Sequence, residues 1–201
     1  MTTDLHLVMH GVAIKKHGTA DAIASIIGKP AALVEQVLKV AAEKDRVIDT
    51  AGKYMLSPAG HMILSSEYSR FCAALRGDGR FVQAYEQFEI INSELKQLIT
   101  DWQTMEVGGK RVTNDHSDKD YDADVIDRLG DLHERFEPIL KKMIAAEERM
   151  AAYENKLESA LEKAEDGDVE WVSAADIESY HTVWFEMHED LLRLLGRTRD
   201  E

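Results

Sequence analysis

Residues 19–56 read TADAIASIIGKPAALVEQVLKVAAEKDRVIDTAGKYML, and this stretch decides the fold. Thr19 is a capping residue for a helix over about 20–27. Gly28-Lys29-Pro30 makes a turn, because glycine accepts a left-handed backbone and proline suits a first helical position. The next helix carries Leu33, Val34, Val37, Leu38, Val40 and Ala41 and ends near Lys44. Residues 46–49 and 53–56 then read as two short strands, with Thr50-Ala51-Gly52 as the hairpin turn. Upstream, Leu5, Val8, Met9, Val12 and Ala13 have helical spacing over 4–16, and His17-Gly18 ends that helix.

Three positions tie the two central helices together. Ala24 is small enough for close approach, Gly28 makes the turn, and Val34 packs the second helix back on the first. This spacing resembles the helix-turn-helix signature. With the hairpin behind it, the segment is similar to winged helices of the MarR-like sort.

Charge complicates that reading. The chain of 201 residues has a formal net charge of −14. Residues 1–70 hold 8 Lys and Arg against 7 Asp and Glu, whereas 71–201 hold 16 against 31. Nucleic-acid affinity rests on cations that neutralise phosphates, so an acidic chain argues against a DNA-binding role. The same asymmetry divides the chain into a winged-helix domain over 1–70 and an acidic helical domain over 71–201. Hydrophobic content of 44% with 31% charged residues excludes a disordered chain. No apolar run is long enough to cross a bilayer, so no membrane association is expected. Met1-Thr2-Thr3-Asp4 lacks the pattern of a signal peptide, and the single Cys72 forms no internal disulfide. These features predict a cytoplasmic protein. Cys72, between Phe71 and Ala73, reads as a small buried residue rather than a nucleophile.

The expected fold class is mainly α: an N-terminal winged helix-turn-helix with a small β-hairpin wing, then an all-α bundle. Ser57-Pro58 starts a helix to about Arg76, broken by Gly77-Asp78-Gly79. A second runs over 80–103 with Phe81, Tyr85, Phe88, Ile91, Leu95, Leu98 and Trp102 on one side. Residues 104–120 read as a polar loop. A third helix covers about 122–150, with Pro138 as a kink candidate, followed by one over 151–164. Ser173 is expected to cap a last helix ending at Leu195, with Gly196 just beyond it.

On the would-be recognition helix, Ala31, Glu35, Gln36, Lys39 and Glu43 form a mixed face without an arginine for guanine edges. Lys29, Gln36, Lys39 and Lys53 are the DNA-contact candidates if the segment binds an operator, and a homodimer would join two such surfaces. Ordinary solvated lysines fit the same pattern.

Two constellations in the acidic part carry chemistry. His181, Trp184, Phe185 and His188 share one helix face. They fit either a pocket for a planar ligand or a core stripe. The two histidines lie about 10 Å apart along the axis, too far to share one metal. Asn114, Asp115, His116, Ser117 and Asp118, followed by Tyr121, fit either a ligand-holding loop or turn and capping residues. His133 borders the apolar stripe of the next helix. If His116, His133, His181 and His188 converge, they form a metal or acid–base site; the pattern leaves the metal unknown.

Several stretches together carry a wider resemblance: Leu5-His6 through Gly18, Leu56 to Gly60, Thr100 to Gln103, Asn114 to Asp118, Asp127-Arg128-Leu129 with Leu132-His133, and His181 to Phe185 with His188 to Leu192. They resemble bacterial MarR-like winged-helix proteins with a helical tail. Those occur beside or fused to phosphotransferases similar to pyruvate phosphate dikinase and phosphoenolpyruvate synthase, of the phenylphosphate-synthase type. The resemblance implies an accessory or substrate-binding subunit of such an enzyme, acting with a dikinase-like partner on a phenolic or other small aromatic ligand. ATP and Mg would come through the partner, and this chain would need no cofactor. It lacks the phosphohistidine motif, since Gly108-Gly109 is followed by Lys110-Arg111. His116 or His188 would be the catalytic base. Trp102, Tyr121, Trp184 and Phe185 would stack on substrate, Lys110 and Arg111 would meet phosphate, and Asn114, Asp115, Asp118, His133 and His181 would line the site. A transcriptional regulator with a ligand-sensing, dimerising helical part is the alternative.

Overall fold

The Thr3 hydroxyl accepts the His6 backbone N–H at 3.2 Å and opens α1, Asp4–Lys15. The computed structural model describes residues 3–198; Met1 and Thr2, at the start read as leaderless, lie outside them. Helix α1 is buried nearly all round, from His6 through Ile14 with Leu7 half-buried. Thr19 caps α2, Ala20–Ile27, through the Ala22 N–H at 3.2 Å. Gly28, at φ +66°, ends it, and α3 spans Ala31–Glu43. Gly11 lets α2 approach α1: a Cβ there would fall 2.8 Å from side-chain carbons of both Ile23 and Ile27.

Strands β1, Val47–Thr50, and β2, Lys53–Leu56, pair antiparallel, with Val47 opposite Leu56 and Thr50 opposite Lys53. Ala51 and Gly52 both have positive φ, the backbone a two-residue hairpin turn requires. Gly18 bridges to Tyr54 by two backbone bonds and fastens the hairpin to the α1–α2 connection. Ser57 caps α4, Pro58–Phe71, as its Ser-Pro pair indicates. The helix then breaks at Cys72 and resumes as α5, Ala73–Gly77, instead of running unbroken to Arg76.

Helix α6 spans Gly79–Gln103. The stretch 104–120, expected as a polar loop, contains a second hairpin: β3, Thr104–Val107, and β4, Lys110–Thr113. Gly108 and Gly109, at φ +60° and +77°, make its turn. The part after residue 70 is therefore not all-α. Helix α7, Lys119–Ala146, runs through Pro138. It stops short of Met150, because Glu147 is extended at φ −140° and a single 3-10 turn fills Glu148–Met150. Helices α8, Ala151–Glu165, α9, Glu170–Ser173, and α10, Tyr180–Leu195, follow. Ser173 ends α9 and does not cap the last helix. Ser179 does so, its Oγ accepting the Thr182 N–H at 3.3 Å while donating to the Ala174 carbonyl. The chain is thus mainly helical with two small hairpins. No helix among the described residues is long and apolar enough to cross a membrane.

By contacts the chain forms two compact units, and the division is not a single cut at residue 70. The first takes in the chain through Gly79, Glu147–Ala152 and the chain from Glu186; the second is Arg80–Ala146 with Tyr153–Phe185. Val8, Met9, Val12, Ile23, Ile26, Val34 and Leu38 are fully buried in the first. Phe81, Phe88, Val125, Leu129, Phe136, Met143, Tyr153 and Tyr180 are fully buried in the second.

The tightest backbone approach in the first unit is at Gly60, where a Cβ would fall 1.9 Å from the Arg46 carbonyl oxygen. Gly60→Ala is expected to destabilise the protein by about 3 kcal/mol, since backbone must move to relieve the overlap. Gly28→Ala meets open space and only the left-handed backbone penalty, roughly 1 kcal/mol. Urea unfolding of both variants checks the order; equal losses would contradict it.

Candidate functional site

The second hairpin returns the chain to where α6 ends. Asn114 N–H donates to the Gln103 carbonyl at 2.9 Å, and Asn114 Nδ2 donates to the Trp102 carbonyl at 3.1 Å. Asn114 is buried, so its amide must be satisfied, and a second bond from Nδ2 reaches Asp122 Oδ1 at 2.9 Å. Its own Oδ1 accepts the His116 backbone N–H at 3.0 Å. That clamp holds His116 at φ +59°, a conformation rare for a residue with a side chain.

The backbone at residue 116 points the imidazole at the same carboxylate. His116 Nδ1 lies 3.0 Å from Asp122 Oδ1 and 3.3 Å from Asn114 Nδ2. Both amide hydrogens of Asn114 are given to the Trp102 carbonyl and Asp122, and a carboxylate only accepts, so Nδ1 carries the hydrogen. Nε2 then holds the lone pair and has no partner among the described residues. The ring packs against Trp102, centroids 4.5 Å apart, and the side chain is about a third exposed. Asp122 is 2% exposed, its Oδ2 has no hydrogen-bond partner, and Lys119 Nζ stands 3.9 Å from it. A fixed imidazole with Nδ1 tied to a carboxylate and Nε2 open is an arrangement for moving a proton or ligating a cation through Nε2.

The other sequence-predicted residues divide around this site. Trp102, Asn114 and Tyr121 are brought to it. The Tyr121 hydroxyl is committed to the carbonyls of Asp101 and Thr104, at 2.8 and 3.0 Å. Trp102 is buried and supports the imidazole with its ring. Asp115 and Asp118 are exposed, and their carboxylates accept backbone N–H groups of Ser117 and Tyr121, which is turn and capping work. Lys110 and Arg111 are exposed on β4, three to four residues and therefore about 10 Å of strand from Asn114. His133 lies eleven residues along α7 from Asp122, about 16 Å of helix, so His116 and His133 do not converge. His133 instead meets the Tyr180 hydroxyl at 3.1 Å.

Trp184 of the aromatic stripe is core. Its ring packs on Phe88, Phe136 and Tyr180, and its indole N–H donates to Asn92 Oδ1 at 3.0 Å. His181 is half-buried and Phe185 exposed at 36%. His188 is buried and belongs to the first unit. Burial lowers the pKa of both His133 and His181. Of the DNA-contact candidates, Lys29 pairs with Asp4 at 3.1 Å and Lys39 with Glu35 at 2.8 Å, while Gln36 and Lys53 are exposed. Among the described residues, no three His, Cys, Asp or Glu side chains are grouped to hold one metal ion.

Sequence reasoning missed a second constellation, in the first unit. Arg149 forms a two-pronged pair with Asp190, Nη1 to Oδ2 at 2.5 Å and Nη2 to Oδ1 at 2.7 Å. His10 Nε2 lies 2.8 Å from Asp190 Oδ1, and His10 Nδ1 lies 2.7 Å from the Tyr68 hydroxyl. Arg149 Nη2 also lies 3.1 Å from His10 Nε2, but the closer Asp190 carboxylate only accepts, so Nε2 carries the hydrogen and Nδ1 accepts from the Tyr68 hydroxyl. Burial lowers the pKa of His10 and outweighs the pull of Asp190. Burial pushes Asp190 upward, but Arg149 and His10 together hold it below the usual carboxylate range. Burial also raises Tyr68, which keeps its proton. The available signal was the pair His6 and His10, one turn apart on an otherwise apolar helix.

No protein-family model, curated protein or solved structure matches this chain.

The buried network fixes a pH response. His10 binds a proton less well folded than at its ordinary value of 6.5. Its contribution to stability is complete above that value and is lost as pH falls below it. His133 and His181 act in the same direction, and Asp190 adds a further loss below its ordinary 3.8. Thermal midpoints are expected to fall between pH 7.5 and 5, and less steeply in His10→Gln. An identical slope in that variant would exclude His10 as a contributor.

Proposed function

We propose that this chain is the acceptor-binding accessory subunit of a dikinase-like phosphotransferase that acts on a phenolic or other small aromatic molecule. His116 is the proton acceptor. The observation that carries the reading is the Asp122–His116 pair with Nε2 left open. A phenolic hydroxyl donates to Nε2. As its oxygen attacks phosphorus on the partner's phosphohistidine, the O–H bond breaks and the proton passes to Nε2. The P–N bond breaks, and its electrons return to the carrier histidine. Asp122 stabilises the imidazolium that forms on His116, the task of the carboxylate in a catalytic triad. Lys110 and Arg111, exposed on the hairpin, are the cations this chain offers to the phosphoryl group. ATP and Mg belong to the partner. The base role falls to His116 and not to buried His188. Trp102 and Trp184 are buried. Phe185 sits beside a Trp184 that packs on Phe88 and Phe136, about 20 Å of helix from Trp102 and Asp122. The half-buried Tyr121 beside Asp122 is the stacking residue that remains.

A second reading rests on a different observation. The order α2, left-handed Gly28, α3 and the β1–β2 hairpin favours a MarR-like winged helix that regulates transcription. Against it, Lys29 and Lys39 are engaged by carboxylates of their own chain.

With a dikinase-like partner and ATP, phosphorylation of a phenol is expected only when this chain is present. His116→Ala should lower the rate by about 100-fold or more, and Asp122→Asn by a smaller factor. An unchanged rate in folded His116→Ala would remove the base assignment. Tight, sequence-dependent DNA binding at near-physiological salt would instead favour the regulator.

A further inference from the structure

The first unit contains a cavity of about 570 Å³, within the range of small-molecule sites. Its wall is built by α1, the α2–α3 turn, the end of α4, α5 and the segment around Arg149. Leu7, Ile27, Phe71 and Leu75 make much of it apolar. Neither cation on the wall is available to an anion: Arg149 is matched by Asp190, and Lys29 by Asp4. Glu147 and Glu148 would repel one further. His10 has both ring nitrogens engaged.

His6 differs. It is 3% exposed, its ring packs on Phe71 with centroids 4.4 Å apart, and its Nδ1 lies 2.9 Å from Glu67 Oε2. The carboxylate takes the Nδ1 hydrogen and leaves the lone pair on Nε2, which has no partner among the described residues. Among the described residues, the sealed, unpartnered polar side-chain atoms are Asp122 Oδ2 and Arg193 Nε, so His6 Nε2 keeps access to open space. His6 is one of the residues that line the cavity. A buried acceptor in an apolar, ring-lined wall selects a molecule that brings one donor and otherwise buries carbon.

We infer that this cavity is a ligand site for an uncharged, planar ring compound carrying a single N–H or O–H donor, which His6 Nε2 accepts. Phe71 and the His6 ring supply the stacking wall, and the volume admits two or three fused rings. The site is independent of the His116 chemistry, because all of its lining belongs to the first unit.

Indole and 1-methylindole test this, since they differ in the one donor. Calorimetric titration of the full chain should give saturable one-to-one binding of indole, with 1-methylindole weaker by about 10-fold. In His6→Leu the two should bind alike, with indole reduced to the level of its methylated form. Ala152→Trp and Leu75→Trp, which fill the cavity from two elements, should abolish binding of both; two variants guard against one failing to fold, as circular dichroism would report. His116→Ala should leave indole affinity unchanged. The inference is overturned if indole does not bind, if the two probes bind native chain equally, if binding survives a folded cavity-filling variant, or if His116→Ala removes it.

Discussion

The Arg149–Asp190 ion pair, closed by His10 and through it by Tyr68, is the constraint on which the first unit depends. It joins α1, α4, the 3-10 turn after α7, and α10 in one hydrogen-bonded chain. Asp190 is 0% exposed and His10 1%. Desolvating such groups costs several kcal/mol each, which only tight mutual bonding offsets. The pair is therefore demanding as well as stabilising: with any one member absent, another is left buried and unmatched. That makes it a device for fixing which segments meet, because an apolar contact tolerates sliding and a two-pronged guanidinium–carboxylate pair does not.

The same network explains why the unit is discontinuous. Residues 10 and 190 are partners across 180 positions, so α1 is not fully satisfied until the end of the chain is in place. Other bonds repeat the theme within the unit. Lys15 meets Glu186 at 2.8 Å, and Arg76 donates to the carbonyls of Leu194 and Arg193. Polar groups on α1 and α5 are thus paired by the last helix.

Local chemistry was legible in the sequence wherever one residue type has one structural use. Thr19, Gly28 and Ser57-Pro58 punctuate the first unit where their capping and turn preferences place them. The second hairpin had the same kind of signal, a Gly-Gly pair between two four-residue runs holding Val107 and Val112, but its polar flanks resemble a loop. Long-range pairing was not legible. The charge step after residue 70 suggests one boundary, whereas the contacts draw on 147–152 and the chain from Glu186. Nothing local marks Asp190 as the partner of His10, because a carboxylate on a helix next to Glu189 reads as solvated surface until its burial is known.

The histidines show why composition alone could not rank candidate sites. His6, His10 and His116 each face a carboxylate, at 2.9, 2.8 and 3.0 Å. What separates them is the other nitrogen. In His10 it accepts from Tyr68, so the ring is saturated and its role is to hold helices together. In His6 and His116 the carboxylate takes Nδ1 and leaves an oriented acceptor at Nε2. One of those acceptors is buried in an apolar cavity, where it can select a donor. The other belongs to a side chain about a third exposed, on a residue held in the left-handed backbone region. That difference in environment is why we propose binding for the first and proton transfer for the second, although the residue pairs that make them are chemically alike.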